Sequence, residues 1–291
     1  MLVTVFTPTY NRGYILPKLY ESLRKQSCFD FEWIVVDDGS TDGTEELFRS
    51  WLLNSPFSIK YIKQINQGKH IAINEGLQEA KGDLFFIVDS DDFLCNNAVE
   101  RILFHYKFIK DDDRFCGICG LRVHPDGTRI GGERDFGILN CSSLDFRFKM
   151  HYKGDMAEVL KTNVFRNYLF PSVEGEKFCP EMLVFNRIAK HYIFRYFYEK
   201  IYVCEYHDDG LTASIVKVRM NSPKISVLYY SELFDTCIPL LQKIKASINY
   251  WRFFFCMSNY ENFARINIKG TIFLPIGYVF HLKDKFINKI F

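Results

Sequence analysis

Asp83-Leu84-Phe85-Phe86-Ile87-Val88-Asp89-Ser90-Asp91-Asp92 reads as an apolar strand that runs directly into three carboxylates within four residues. Burying that much negative charge at a strand end is costly unless hydrogen-bond donors or a cation compensate. Alternate carboxylates on an extended segment can converge on one hard ion, and Mg2+ or Mn2+ is commonly held by one or two carboxylates together with substrate phosphates. The competing reading is an acidic turn that caps the helix starting near Asn96.

Upstream, the same alternation of short apolar strands and helical stretches repeats. Val3–Phe6, Phe31–Val36 and Ile59–Lys63 read as strands, and Leu16–Gln26 reads as a helix with apolar positions at 16, 19 and 23. Thr41-Asp42-Gly43-Thr44 supplies capping side chains for a helix over Glu45–Leu53, and a third helix spans His70–Ala80. Strand–helix alternation implies right-handed crossovers and a mostly parallel sheet, which binds its ligands beyond the carboxyl ends of its strands. Thr7-Pro8-Thr9-Tyr10-Asn11-Arg12, Asp37-Asp38-Gly39-Ser40 and Asp89-Ser90-Asp91-Asp92 all follow strands, so they meet on one rim. In the second cluster one carboxylate can accept from a nucleobase while its neighbour orients the loop. Neither a GxGxxG after the first strand nor a GxxxxGK[ST] is present, which argues against a dinucleotide fold and a P-loop.

Beyond Asp92 the pattern loosens. Val99–Lys110 reads as a helix, Cys116–Val123 as a strand, and the glycine-rich stretch from Pro125 to Gly132 as a hairpin or flap. Met156–Leu160 reads as helical, a further helix follows Glu181, and an aromatic, strand-rich stretch from Tyr192 to Tyr206 leads to His207-Asp208-Asp209-Gly210. The CxxC spacing of Cys116 and Cys119 lacks the second pair that a zinc site needs.

Composition bounds what the chain can be. With 291 residues, 48% of them hydrophobic and 17% aromatic, it is neither disordered nor fibrous. A formal charge of +2 gives no overall case for a nucleic-acid partner. Charge is nevertheless uneven: residues 217–291 hold 11 basic and 4 acidic side chains, and aromatics crowd the same stretch, as in Tyr250-Trp251-Arg252-Phe253-Phe254-Phe255. Such a surface suits an anionic, apolar partner such as a membrane face, with an ordinary packed helix as the alternative. No run reaches the roughly 18 apolar residues of a membrane span. Nine scattered cysteines fit a reducing compartment, and the amino terminus reads as a strand rather than a secretion signal, so a cytoplasmic location is expected.

The clusters Thr7–Arg12, Val35–Asp42, Asn66–Gly76, Ala80–Asp83 and Asp89–Asp92 follow one another in the order and spacing of family two glycosyltransferases. The chain resembles that family, in its bacterial polysaccharide-biosynthesis form, strongly over residues 1–100. It is more weakly similar over about 150–215, through Gly154-Asp155, Gly175-Glu176-Lys177-Phe178, Pro180-Glu181 and Asp209-Gly210-Leu211-Thr212. The resemblance implies an α/β GT-A fold, a Rossmann-like, mostly parallel central sheet flanked by helices. Residues 1–216 would form the transferase domain, with 1–100 binding the nucleotide sugar and 101–216 the acceptor; 217–291 would add a helical, aromatic, basic extension.

By the same resemblance Pro8 and Tyr10 border the nucleobase and Asp38 accepts from it, beside Asp37. Lys69 and His70 contact the diphosphate, and Arg12, Gly68, Asn74 and Ser90 belong to the same nucleotide-sugar site. Asp91 is the first metal ligand, Asp89 the second and His207 a third, while Asp89 or Asp92 hydrogen-bonds ribose or sugar; the ion is Mn2+ or Mg2+. Glu181 is the expected general base, with Asp155, beside Glu158, as the second choice. Pro180-Glu181 stands where the commonest pattern of the family has Glu-Asp.

The implied reaction is an inverting displacement: an acceptor hydroxyl attacks the anomeric carbon and nucleoside diphosphate leaves. The donor would be UDP-linked and the acceptor a saccharide or lipid-linked saccharide of a cell-surface polysaccharide. Residues 217–291 would serve either as a peripheral contact at the inner face of the cell membrane or as a homodimer interface. Two other classes compete. A nucleotidyltransferase would need a glycine-rich, basic loop after the first strand. A receiver-like Mg2+-binding signalling module needs only about 120 residues and leaves more than half the chain unexplained.

Overall fold

The computed structural model describes residues 2–132, 134–205, 214–258 and 264–288. The chain divides into two compact units, one formed by Met1–Leu169 with Arg187–Tyr206 and the other by Phe170–Asn186 with His207–Phe291.

The first unit is built on one sheet. Its strands are β1 (Val3–Thr9), β2 (Phe31–Asp37), β3 (Ser58–Lys63), β4 (Leu84–Ile87), β5 (Phe93–Leu94), β6 (Phe115–Val123), β7 (Ile138–Cys141), β8 (Met156–Lys161) and β9 (Ile193–Val203). Helices α1 (Leu16–Arg24), α2 (Thr44–Asn54), α3 (Lys69–Glu79), α4 (Ala98–Tyr106) and the short α5 (Thr162–Phe165) connect them. The order is β3-β2-β1-β4-β8-β6-β9-β5, with β7 pairing β9. The first four are parallel, as the strand–helix alternation requires. From β8 onward the sheet is mixed: β8 is antiparallel to both β4 and β6, and β6 runs parallel to β9.

Burial explains the sequence pattern. All seven residues of β1 and all seven of β2 are buried, as expected for parallel strands covered on both faces. Leu16, Leu19 and Leu23 of α1 pack into one core with Trp33, Phe48, Phe86 and Tyr202. Register then sets the rim. Thr9 pairs with Asp37 and Phe6 with Ile87, and the Val88 amide donates to the Phe6 carbonyl, so the residues after β1, β2 and β4 emerge side by side.

Two expectations need correction. Met156–Leu160 is not helical but the strand β8, wedged between β4 and β6 with five of its six residues buried. Its Met, Ala, Glu and Leu are good helix formers, but over six residues propensity is a weak prior, and two flanking strands offer both of its edges a hydrogen-bonding ladder. Close approach within that ladder is strict: a Cβ on Gly117 would lie 2.1 Å from the Val159 carbonyl oxygen. The helix expected over Val99–Lys110 ends at Tyr106, and the chain continues in turns that bring Lys110 and Asp112 carbonyls onto the Lys161 ammonium. The hairpin expected in the glycine-rich stretch is present, closed by a bridge between Val123 and Arg129.

The regular structure of the second unit, among its described residues, is helical: the first part of α6 (Met182–Ala189), then α7 (Ile215–Met220), α8 (Pro223–Asp235), α9 (Leu240–Phe254), a 3-10 turn over Ile268–Phe273 and α10 (Leu274–Asn288). Its core gathers Met220, Val227, Tyr250, Phe253 and Met257. Glu176 reaches the free amides of α8, accepting from Lys224 N at 2.7 Å and Ile225 N at 2.9 Å, as a capping carboxylate does. The extension expected over 217–291 is accordingly helical.

Candidate active site

The site occupies the rim of the first unit where β1, β2 and β4 end. After β1, Tyr10 stands about half exposed, and Asn11 takes a left-handed φ of 52°. That conformation lets the Asn11 amide donate to Ser40 Oγ at 2.8 Å, while Asn11 Oδ1 accepts from Thr41 N at 2.9 Å. Pro8 lies within β1 and is buried. Arg12 follows, its guanidinium 4.0 Å from Asp91.

Both carboxylates after β2 are buried and engaged. Asp37 accepts from Ser40 N at 2.7 Å and from Tyr61 Oη at 2.5 Å. Asp38 accepts from Gln64 Nε2, Gln67 N and Gly68 N at 2.7 to 2.8 Å. Here Asp38 fastens the loop between β3 and α3, while Asp37 fastens the turn that follows β2; three of the four lone pairs of Asp38 are used.

That loop delivers α3. Gly68, at φ 98°, precedes Lys69, whose ammonium is 2.5 Å from Asp89 Oδ1. His70 is 2% exposed, and among the described residues neither of its ring nitrogens has a hydrogen-bond partner; the Thr9 hydroxyl is likewise unpartnered. Burial lowers the His70 pKa to about 4, outweighing the pull of Asp38. Asn74 is half-buried one turn further along α3.

The four residues after Val88 divide into two roles. Asp92 is turned inward, accepting from Tyr202 Oη at 2.8 Å and Glu205 N at 3.0 Å, and Ser90 is buried beside it in the chain. The same Tyr202 hydroxyl accepts from the Asp89 amide at 3.0 Å. Asp89 and Asp91 keep side chains about 30% exposed at the rim. Against the penalty of burial, the Lys69 ammonium holds Asp89 below the ordinary carboxylate range. Burial and the neighbouring Asp89 charge push Asp91 up, and the same two causes bring Asp92 to about 6.

This donor set fits a hard divalent ion shared with phosphate. Two oxygen-bearing side chains face outward, and Asp91 is raised first by burial and then by the Asp89 charge, both of which a cation would offset. Among the described residues no three His, Cys, Asp or Glu side chains cluster as a complete cage, so substrate oxygens would have to supply the rest.

Of the other expected residues, Asp155 is exposed just before β8, 3.9 Å from Arg147. Glu181 belongs to the second unit, where its carbonyl accepts the first helical bonds of α6 from Val184 and Phe185. His207 lies outside the described residues. Conversely, the rim relies on residues that no motif marked. Tyr202 ties Asp89 to Asp92, Arg122 covers the Tyr202 ring at 4.3 Å and donates to the Met156 carbonyl, and Gln64 secures Asp38. Only the aromatic run around Tyr202 gave any sequence signal.

Comparisons with known proteins bear on the whole arrangement. The glycosyltransferase GlyG of Streptococcus pneumoniae serotype 4 is 34% identical over 113 residues, 38% of this chain and 36% of that protein. Chondroitin synthase of Escherichia coli is 34% identical over 152 residues, 52% of this chain and 22% of that one. The chain thus matches only about a third or less of the length of these curated relatives. Staphylococcus aureus TarS 1-349 in complex with UDP-GlcNAc superposes with a TM-score of 0.64 at 18% identity, over 95% of this chain and 79% of that one. A mannosyltransferase from Pyrobaculum calidifontis, in complex with GDP-Man and Mn2+, gives 0.58 at 19% identity over 96% and 80%. At such identities these neighbours show the fold, which is GT-A. Residues 4–153, just over half of the chain, match the family model described as glycosyl transferase family 2, and the chain belongs to that family.

Proposed function

We propose that this chain transfers a sugar from a nucleotide diphosphate donor to a saccharide or lipid-linked saccharide, with inversion at the anomeric carbon. The observation that carries the reading is the interleaving of charge at the rim: Lys69 faces Asp89, and Arg12 faces Asp91. A donor diphosphate arriving with a divalent ion satisfies all four groups at once. Lys69 and Arg12 bind phosphate oxygens, and Asp91 with Asp89 would hold Mn2+ or Mg2+. When bound, the ion neutralises charge that builds on the leaving diphosphate. The exposed Tyr10 ring offers the nucleobase a stacking face, and the loop held by Asp38 borders it. The donor half of the site is then residues 1–100, and the acceptor half follows within 101–216.

We assign UDP as the nucleotide, on the support of the UDP-GlcNAc complex of TarS among the structural neighbours. The polysaccharide synthases among the relatives support a polysaccharide acceptor. An alcohol is a weak nucleophile near neutral pH, so a carboxylate must take its proton. Glu181 is our first assignment for that base and Asp155 the second.

Calorimetric titration with UDP, GDP and dTDP, each with Mn2+ and after chelation, tests the donor site. The expected result is metal-dependent binding of UDP that Asp91→Asn abolishes; failure of every nucleotide under every metal condition overturns the reading. Glu181→Gln should then lower turnover at least a hundredfold with UDP binding unchanged, whereas that loss with Asp155→Asn alone would move the base.

A further inference from the structure

Helix α10 is built the wrong way round for a helix in water. A surface helix normally buries its apolar stripe and exposes its polar one. Here the buried positions are Gly277, His281 and Asp284, a single face at spacings of four and three. Gly277 lies so close to α9 that an added Cβ would fall 2.4 Å from Trp251 Cβ. Asp284 pairs with the Arg252 guanidinium, and His281 Nδ1 is 3.4 Å from Cys256 Sγ. The outward positions of the 3-10 turn and α10 are Ile272, Ile276, Val279, Leu282, Phe286 and Ile287, 45 to 87% exposed. A continuous apolar face of this kind marks an interaction surface.

Its charge says which partner. Between residues 264 and 288 Arg265, Lys269, Lys283 and Lys285 are exposed, and the one acidic residue, Asp284, is buried against Arg252. Packing this face on a second copy about a two-fold axis would bring together two surfaces whose exposed charges between residues 264 and 288 are all positive. An anionic headgroup layer complements them, while acyl chains take up the isoleucines and phenylalanines. The 15 described residues of the helix extend about 22 Å, short of the roughly 30 Å hydrocarbon core. No helix among the described residues is long and apolar enough to span. We infer that the face formed by Ile268–Ile287 is a docking surface for an anionic lipid bilayer, on which α10 lies flat. This inference does not depend on the donor chemistry.

Flotation of the full chain with vesicles tests it, using phosphatidylcholine alone and phosphatidylcholine containing about a third phosphatidylglycerol. Expected is binding to the anionic vesicles at least tenfold stronger than to the neutral ones, weakening as salt is raised. Ile276→Asp with Phe286→Asp should cut it at least tenfold, with helical circular dichroism unchanged because both side chains point outward. Lys283→Glu with Lys285→Glu should do the same without touching the apolar face. No binding to either vesicle, equal binding to both, or a dimer by light scattering that Phe286→Asp dissociates would each overturn the inference.

Discussion

In the parallel half of the sheet, β1, β2 and β4 each run into a polar cluster, and these clusters hold the rim carboxylates Asp37, Asp38, Asp89, Asp91 and Asp92. In the mixed half, β6 and β9 are largely apolar or aromatic and lend the rim only Arg122 and the Tyr202 hydroxyl. Chemistry and rigidity are thus drawn from different stretches of chain. Outward carboxylates stay available because a distant strand holds the inward one.

If that division is right, damage to each half should read out differently. The largest effect belongs to Asp91→Asn, which should lower turnover at least a hundredfold, about 2.7 kcal/mol of barrier, while the thermal midpoint moves little. An equal fall in both would show that the rim is part of the structural core after all. Next, Gly117→Val drives a side chain into the Val159 carbonyl and should cost about 2–3 kcal/mol in urea unfolding. Metal-dependent nucleotide affinity in the fraction that stays folded should be unchanged.

Tyr202→Phe tests the link between the halves. It strands the Asp92 carboxylate and the Asp89 amide without their shared hydroxyl, at a cost of about 1–2 kcal/mol. Unlike Gly117→Val, it should also weaken nucleotide binding, because Asp89 loses its anchor. A loss of stability with affinity intact would mean that Asp89 is positioned without β9.

The smallest effect is in pH. A histidine in the unfolded chain titrates near 6.5, whereas burial holds His70 at about 4 in the fold. Between those values the unfolded chain takes up the extra proton, so this histidine's contribution to stability should fall as pH is lowered from about 6.5 toward 4 and be untouched above that window, while Asp92, raised to about 6, acts in the opposite sense below about 6. His105 and His281 are shifted the same way, so His70→Leu should reduce the slope, measured by urea unfolding at pH 7 and 5, without abolishing it. An unaltered slope would assign the pH sensitivity to groups other than His70.

The two halves also differ in how far they could be read from sequence. Local pattern was enough for β1 to β4 and their helices, since β1, β2 and β4 are short apolar runs that end in polar clusters, β3 intersperses Ile and Tyr with Lys, and the parallel sheet followed from the alternation. The convergence of Asp37, Asp38, Lys69 and Asp89–Asp92 was legible for the same reason. It failed at Met156–Leu160, whose strand is imposed by its neighbours β4 and β6 rather than by its own residues. The inward turn of Asp92 was equally hidden, because it depends on a tyrosine 110 residues away. Nor could composition show that α10 buries a Gly-His-Asp stripe, since that choice lies in the fit against Trp251 and Arg252.

The hydroxyl of Tyr202 has a consequence for synthesis on the ribosome. Asp89 leaves the exit tunnel well before its partner, which lies 113 residues later in the chain. At about 5–20 residues per second, that interval lasts roughly 6–23 s. Throughout it the nascent chain already carries the aspartates of the rim but not the strand that sorts them into inward and outward. On the function proposed above, the donor site is completed late in translation, and chains cut short ahead of β9 should hold the motif without the affinity.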